Sequence, residues 1–172
     1  MKAVWKKTRK NAGFSLGETL IAILILLMVS AIVAGAIPTA SHVYAKTVDA
    51  ANAQVLLSTT MTVLRDELGT ATDVEKTDST TLTYNKGSRS IAYTEDPAGI
   101  WLRYKRKDAE SNDVTESLLL VSQKAATKDM VVSYTGVTVT EETITFSGLQ
   151  VTKAGYEKAL AGQTTYTIRR AS

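Results

Sequence analysis

The hydrophobic pattern of the chain changes twice, and the changes predict two kinds of structure. An uncharged apolar run extends from Thr19 to Ile37. From Ala40 to Leu68, apolar residues recur with the three-to-four-residue period of a helix. Beyond Gly69, apolar and polar residues alternate, which is typical of β-strands. The sequence therefore predicts one long helix followed by a sheet.

The apolar run has the length of a membrane span. At 1.5 Å per residue it covers about 28 Å, close to the hydrocarbon core of about 30 Å. Five cations precede Gly13, and they are Lys2, Lys6, Lys7, Arg9 and Lys10. Because lysine and arginine stay on the cytoplasmic side, we expect a single pass with the N-terminus inside and everything after Ile37 outside.

The helix is predicted to run from about Phe14 to Leu68, with a kink near Pro38. Proline removes one backbone donor and clashes with the carbonyl of Ala34. Beyond the kink, two stripes have helical period: one is Tyr44, Val48, Ala51 and Val55, and the other is Ala50, Ala53, Leu57, Met61, Leu64 and Leu68. We expect this amphipathic half to pack on a sheet.

Six or seven short strands follow the helix. The turn Asn85–Ser88 predicts a hairpin, and the segment 154–162 is either a helical turn or a loop. Threonine-rich alternation favours an antiparallel sheet with one face in water. The fold class is therefore α+β: a long N-terminal helix on a small antiparallel sheet. The strands are expected around 81–84, 91–93, 100–105, 118–121, 130–139, 143–147 and 165–169.

Composition changes this picture little. The formal charge of +3 includes the five leader cations, and without them the remainder is 3 − 5 = −2. The basic character therefore belongs to the leader and does not indicate a nucleic-acid partner. The chain contains no cysteine, which excludes disulfides and thiolate metal sites.

Two ordinary interpretations of the N-terminal segment stay open. Ala34-Gly35-Ala36 is a small-x-small sequence that fits cleavage of a secretory signal near Ala36. Against this, the apolar run exceeds the usual 7–15 residues of a signal, and Glu18 lies close to its start. The other interpretation is an uncleaved signal anchor.

The sequence GFSLGETL at 13–20 resembles the cleavage and methylation motif of type IV prepilins and pseudopilins. In that family a dedicated membrane peptidase cuts after the glycine. The resemblance implies that Gly13 ends the leader and that Phe14 becomes the N-methylated N-terminus. Glu18 then takes the fifth mature position, where the family carries its characteristic glutamate. Gly17 departs from the family, which usually has a bulky aliphatic residue there.

Glu18 has a physical reason to be functional. A carboxylate at the centre of a bilayer costs a few kcal/mol and is normally retained for a partner, although a carboxylate near the headgroups costs little. If the chain is cut at Gly13, a positive amine appears at Phe14. In a filament, the amine of one subunit can approach Glu18 of another, and charge neutralisation would favour assembly and set the axial register.

The resemblance implies a subunit of a type IV pilus-like filament or pseudopilus, located in the cell membrane before assembly and at the cell surface or in the envelope afterwards. Its implied partners are other subunits, prepilin peptidase, an assembly ATPase and a platform protein. The expected divisions are leader 1–13, membrane and assembly helix 14–37, amphipathic helix 38–69 and β head 70–172. Adhesion, motility, DNA uptake and protein secretion all stay open. The alternative is an exported binding module, released near Ala36 or held by a signal anchor.

Candidate catalytic residues are few. His42 is the one histidine, and we interpret it as an interfacial or surface residue. The carboxylate groups are interpreted as solvated turns rather than acid-base pairs or calcium ligands. No enzyme activity, cofactor or metal is predicted. The carboxylates concerned are Glu141, Glu142, Asp108, Glu110 and Asp113.

A cluster of cations lies beside two aromatic residues in the third strand. We interpret it as the charge that protects the edge of a sheet. The alternative is a nucleic-acid backbone site with stacking aromatics. The cluster consists of Arg103, Lys105, Arg106 and Lys107, near Trp101 and Tyr104.

Overall fold

Helix α1, Leu16–Gly69, contains both the apolar run and the amphipathic segment. The computed structural model describes residues 15–95, 97–107, 112–121 and 129–170, so Gly13 and Phe14 lie outside the described residues. The predicted long helix is confirmed. The helix is continuous through Pro38, and a kink there stays a prediction. Contacts divide the chain into two units, Met1–Ala45 and Lys46–Ser172.

The second unit contains an antiparallel β region, as predicted. Its strands in the described residues form two sheets rather than one. The strands are β1 Glu75–Lys76, β2 Thr81–Tyr84, β3 Arg89–Glu95, β4 Ala98–Lys107, β5 Asp113–Leu119, β6 Met130–Ser133, β7 Gly136–Val139, β8 Thr143–Lys153 and β9 Ala161–Arg169.

The first sheet has the order β1-β2-β3-β4-β5. The predicted hairpin joins β2 to β3, with Tyr84 paired to Arg89. Asn85 and Lys86 take the positive φ angles of 53° and 58° that a tight turn requires. The Asn85 backbone N–H also donates to the Thr72 carbonyl at 2.7 Å, which ties the turn to the segment that follows the helix.

Strand β8 is the centre of the second sheet. It pairs along one edge with β9 and along the other with β6 and β7. The predicted strand at 143–147 therefore continues to Lys153, and the segment after it is a turn and loop rather than a helix. The predicted buried strand at 118–121 differs as well, because β5 ends at Leu119 and Leu118 is exposed.

One stripe of α1 packs against the strands and forms part of the hydrophobic core of the second unit. The buried positions of the helix are Ala53, Leu56, Leu57, Thr60, Leu64 and Leu68. They form one cluster with strand residues such as Leu82, Ile91 and Phe146. The Thr60 hydroxyl donates to the Leu56 carbonyl at 2.8 Å, so burial leaves it hydrogen-bonded. The other predicted stripe stays outside this core, because Tyr44 and Val55 are exposed.

Two polar clusters attach the helix to the sheets. Asp49 accepts hydrogen bonds from the Lys153 Nζ at 2.6–2.7 Å and from the Tyr156 hydroxyl at 2.8 Å. Near the C-terminal end of α1, the Glu67 carboxylate accepts a hydrogen bond from the Tyr84 hydroxyl at 2.7 Å and forms an ion pair with Arg89. Burial, together with the hydrogen bond to Glu67, raises the pKa of Tyr84 above its ordinary value.

The Asp49 cluster predicts that the second unit loses stability in acid. Hydrogen bonds from Lys153 and Tyr156 hold the pKa of the Asp49 carboxyl below its ordinary value. The folded state therefore binds this proton less readily than the unfolded chain does. The stabilisation is complete above the unfolded pKa of about 3.9 and is lost as the pH falls through the folded pKa.

We therefore expect Asp49→Asn to flatten the acid side of the stability profile, measured as the urea midpoint of the full chain in detergent between about pH 2 and about pH 6. The matched control is Asp66→Asn, because Asp66 lies on the same helix and is exposed. Equal flattening by both variants would contradict a specific role for the Asp49 cluster.

Candidate assembly site

The first turn of α1 is closed by Ser15 and Glu18. The Ser15 Oγ accepts from the Glu18 backbone N–H at 3.2 Å, and the Ser15 backbone N–H lies 3.4 Å from the Glu18 Oε2 that accepts from it. This reciprocal pair is a capping box, which satisfies two backbone donors that a helix start leaves free. Ser15 therefore positions the carboxylate of Glu18 at the start of the apolar segment.

The prepilin-like motif does not by itself identify Ser15 as a helix cap. The sequence signal for that role is the spacing Ser-x-x-Glu directly before an apolar run, which is typical of a capped helix start. Gly17 lies inside the same turn. A Cβ built on it would meet the Ser15 Oγ at 3.6 Å, an ordinary contact, so an alanine side chain fits at this position.

The apolar segment exposes its side chains on all sides. From Leu20 to Ile37, the exposed fractions of the large apolar residues range from 50 % at Val33 to 70 % at Ile32. Such a surface is stable in lipid or against other apolar helices, but not in water. The helix is long and apolar enough to cross a membrane, which fits a single-pass anchor near the N-terminus.

Hydroxyl groups within and directly after this segment are satisfied by the helix itself. The Ser30 Oγ donates to the Leu26 carbonyl at 2.8 Å, and the Thr39 Oγ1 donates to the Gly35 carbonyl at 3.3 Å. In an apolar environment these bonds remove the cost of unpaired hydroxyls. Glu18 is the one ionisable side chain of the described residues up to Ile37, and it lies immediately before the apolar segment.

The helix also exposes apolar residues in the second unit. Val55 is 61 % exposed on the side of α1 away from the core, and Val48 is 38 % exposed. An isolated water-soluble head has no need of an apolar stripe there. These two valines leave an apolar stripe of the second half of α1 uncovered.

The remaining predicted site residues do not come together. His42 is exposed on α1, and Glu141 and Glu142 are exposed in the turn before β8, where Glu142 lies 3.8 Å from Arg169. Asp113 begins β5, and Asp108 and Glu110 lie outside the described residues. Within the described ranges, no three histidine or acidic side chains form a group that could hold a metal ion.

No protein-family model matches the chain, and no curated protein or solved structure matches it either. The resemblance to prepilins and pseudopilins therefore rests on residues 13–20 and on the apolar helix that follows them.

Proposed function

We propose that this protein is a structural subunit of a type IV pilus-like filament or pseudopilus. It is inserted with its N-terminus inside, is processed by prepilin peptidase after Gly13, and assembles through the helix that begins at Leu16. The observation that carries the proposal is the combination of a basic leader, the motif at 13–20 and an apolar helix whose side chains are exposed over its whole first half.

The physical basis of assembly is close packing of this apolar surface together with neutralisation of Glu18. In the membrane the exposed side chains contact lipid. In a filament they contact the same segments of neighbouring subunits, so the helix exchanges one apolar environment for another. Close packing then favours association, and the charged pair formed by Glu18 and a neighbouring Phe14 amine selects the register.

The second unit has the role of a head carried by the helix. Its own core, built from one stripe of α1 and both sheets, does not need the first half of the helix. The exposed Val48 and Val55 give neighbouring subunits a second place of contact. In this scheme the protein is not an enzyme, and its partners are other subunits, the peptidase, and the assembly ATPase with its platform protein.

The mature N-terminus tests this proposal in one measurement. We expect mass spectrometry of the protein from membranes or sheared filaments to find an N-methylated Phe14. A chain that begins at residue 37 would instead show an exported module released by signal peptidase near Ala36. An intact Met1 would show a signal anchor, and either result would overturn the proposal.

A further inference from the structure

The cationic cluster of the third predicted strand lies on β4, an internal strand of the first sheet. Strand β4 lies between β3 and β5: Arg103 pairs with Ser90 on one side and with Ser117 on the other. The Lys105 backbone N–H donates to the Ser88 carbonyl at 2.9 Å, while β5 covers the opposite side. The interpretation of the cluster as protection of an edge strand is therefore wrong for Arg103 and Lys105, which have neighbours on both sides, whereas Arg106 and Lys107 lie beyond the end of the pairing with β3 and pair with β5.

The structure divides the cluster between the two faces of the sheet. Residues two apart on a strand share a face. Tyr104 and Arg106 lie on the core side, where the Glu116 carboxylate accepts from the Tyr104 hydroxyl and forms an ion pair with Arg106 at 3.4 Å. The Arg106 charge is therefore neutralised within the chain.

The opposite, outer face carries Trp101 and then Arg103, Lys105 and Lys107, a row that we call the cationic ladder. All three cations are exposed, and among the described residues none of them forms an ion pair. Successive rungs are about 6.6–6.8 Å apart because a strand rises about 3.3–3.4 Å per residue. This distance is close to the separation of neighbouring phosphates in an extended single strand.

The surroundings of the ladder on this face are small and nearly uncharged. The rows across the sheet contain Ser90, Ser117 and Thr115. Two carboxylates face the same way: Asp113 is opposite Lys107 in the register of β4 and β5, at the far end, and Glu75 lies on β1 at the other side of the sheet. The middle of the ladder is thus a flat positive surface.

Trp101 adds a stacking group at the inner end of the ladder. It is half-buried, and its Nε1 donates to the Pro97 carbonyl at 3.0 Å, which fixes the plane of the indole. A fixed aromatic ring on a sheet, next to cations that follow a backbone, is the arrangement with which proteins bind single-stranded nucleic acids. A ligand that consists of phosphate alone would not explain the fixed indole ring of Trp101.

We propose that the outer face of β4 binds single-stranded nucleic acid, with phosphates on the cationic ladder and a base stacked on Trp101. This inference does not depend on filament assembly, because the ladder belongs to the sheet and not to the helix. Each neutralised phosphate of a single strand contributes about 0.7 to the slope of log affinity against log salt, so three rungs contribute about 2.

The test uses the full chain in phosphatidylcholine nanodiscs and a fluorescein-labelled oligothymidylate of about 20 nucleotides. Anisotropy is followed between about 50 and about 200 mM salt. We expect the combined variant Arg103→Gln, Lys105→Gln and Lys107→Gln to bind at least about tenfold more weakly at the lower salt, and its salt slope to fall by about 2.

The matched control removes the same charge elsewhere, in the combined variant Arg65→Gln, Lys76→Gln and Lys158→Gln, at exposed positions outside the ladder. The leader cations are present in both variants, so any binding by them cancels. Equal salt slopes in the two variants would overturn the proposal. It would also fail if the protein bound phosphatidylserine vesicles and not the oligonucleotide.

Stacking has its own readout. In a Trp5→Phe background, Trp101 is the one remaining tryptophan. We expect the oligonucleotide to quench its fluorescence and inorganic polyphosphate to leave it unchanged. Equal responses to the two ligands would remove the stacked base from the proposal and overturn it in this form.

Discussion

Glu18→Gln is expected to prevent incorporation of the subunit into filaments while leaving cleavage after Gly13 intact. In the proposed filament, the substitution would remove the negative charge and leave the amine of a neighbouring Phe14 unpaired in apolar surroundings. An unpaired charge in such surroundings costs about 2.5–3.5 kcal/mol on insertion scales, which corresponds to about a hundredfold loss in the assembly equilibrium. Incorporation is measured as the fraction of mature subunit that is recovered in sheared filaments.

The capping box at the helix start makes glutamine the informative substitution. Glutamine at this position can still accept from the Ser15 backbone N–H, so Glu18→Gln keeps the cap and removes the charge. Ser15→Ala does the reverse, since it removes the hydroxyl that caps the Glu18 backbone N–H and keeps the carboxylate. Loss of such a cap costs about 0.5–2 kcal/mol of helix stability.

The pair of variants separates two explanations of an assembly defect. If the charge of Glu18 drives assembly, Glu18→Gln is absent from filaments and Ser15→Ala is incorporated. If Glu18 acts by ordering the helix start, Ser15→Ala is the defective variant and Glu18→Gln assembles. Normal assembly by Glu18→Gln would refute the proposed pairing with a neighbouring amine. Cleavage, followed by the mass of the mature chain, is expected in both variants.

The helix was predictable because its signals are local. Apolar length, helical period and the small number of breakers predict one long element, and the structure has it as Leu16–Gly69. The choice of buried stripe was not predictable from the period. Leu57 and Val55 both belong to stripes with helical spacing, yet Leu57 is 3 % exposed and Val55 is 61 % exposed. The sheets decide which stripe they cover, and their position is a long-range property.

The division of the strands into two sheets was not predictable either. Alternation predicts that a segment is a strand but not its neighbour, since pairing depends on residues far along the chain. Gly148 shows the difficulty locally. It interrupts the alternation, yet β8 continues through it, with a φ of 63° and close approach to Thr135. The predicted strand at 143–147 therefore stops where the real strand continues.

The two candidate sites differ in the same way. The capping box is a local signal, because Ser15 and Glu18 lie within four residues and precede an apolar run. The cationic ladder is also visible in the sequence as a row of cations, but its meaning depends on what lies beside it. Only the pairing of β4 with both β3 and β5 shows that these cations belong to an internal strand.

Leu64→Ala is expected to destabilise the second unit by about 2–5 kcal/mol. This is a large part of the free energy of unfolding of a typical domain, which is about 5–15 kcal/mol. Leu64 has 0 % exposure and lies in the core cluster with Leu82 and Ile144. Truncation to alanine therefore loses the free energy gained by burying the removed methyl groups, and it leaves a cavity. The measurement is urea unfolding of the full chain in detergent, followed by Trp101 fluorescence in a Trp5→Phe background.

The control for this prediction is the same substitution at an exposed leucine, Leu118→Ala. Leu118 lies on the edge strand β5 and is 59 % exposed, so we expect a change within about 0.5 kcal/mol. A large difference between the two variants means that the second half of α1 is part of the core of the head. Equal, small effects would mean that the sheets fold without the helix, and the helix would then be only a tether for the head.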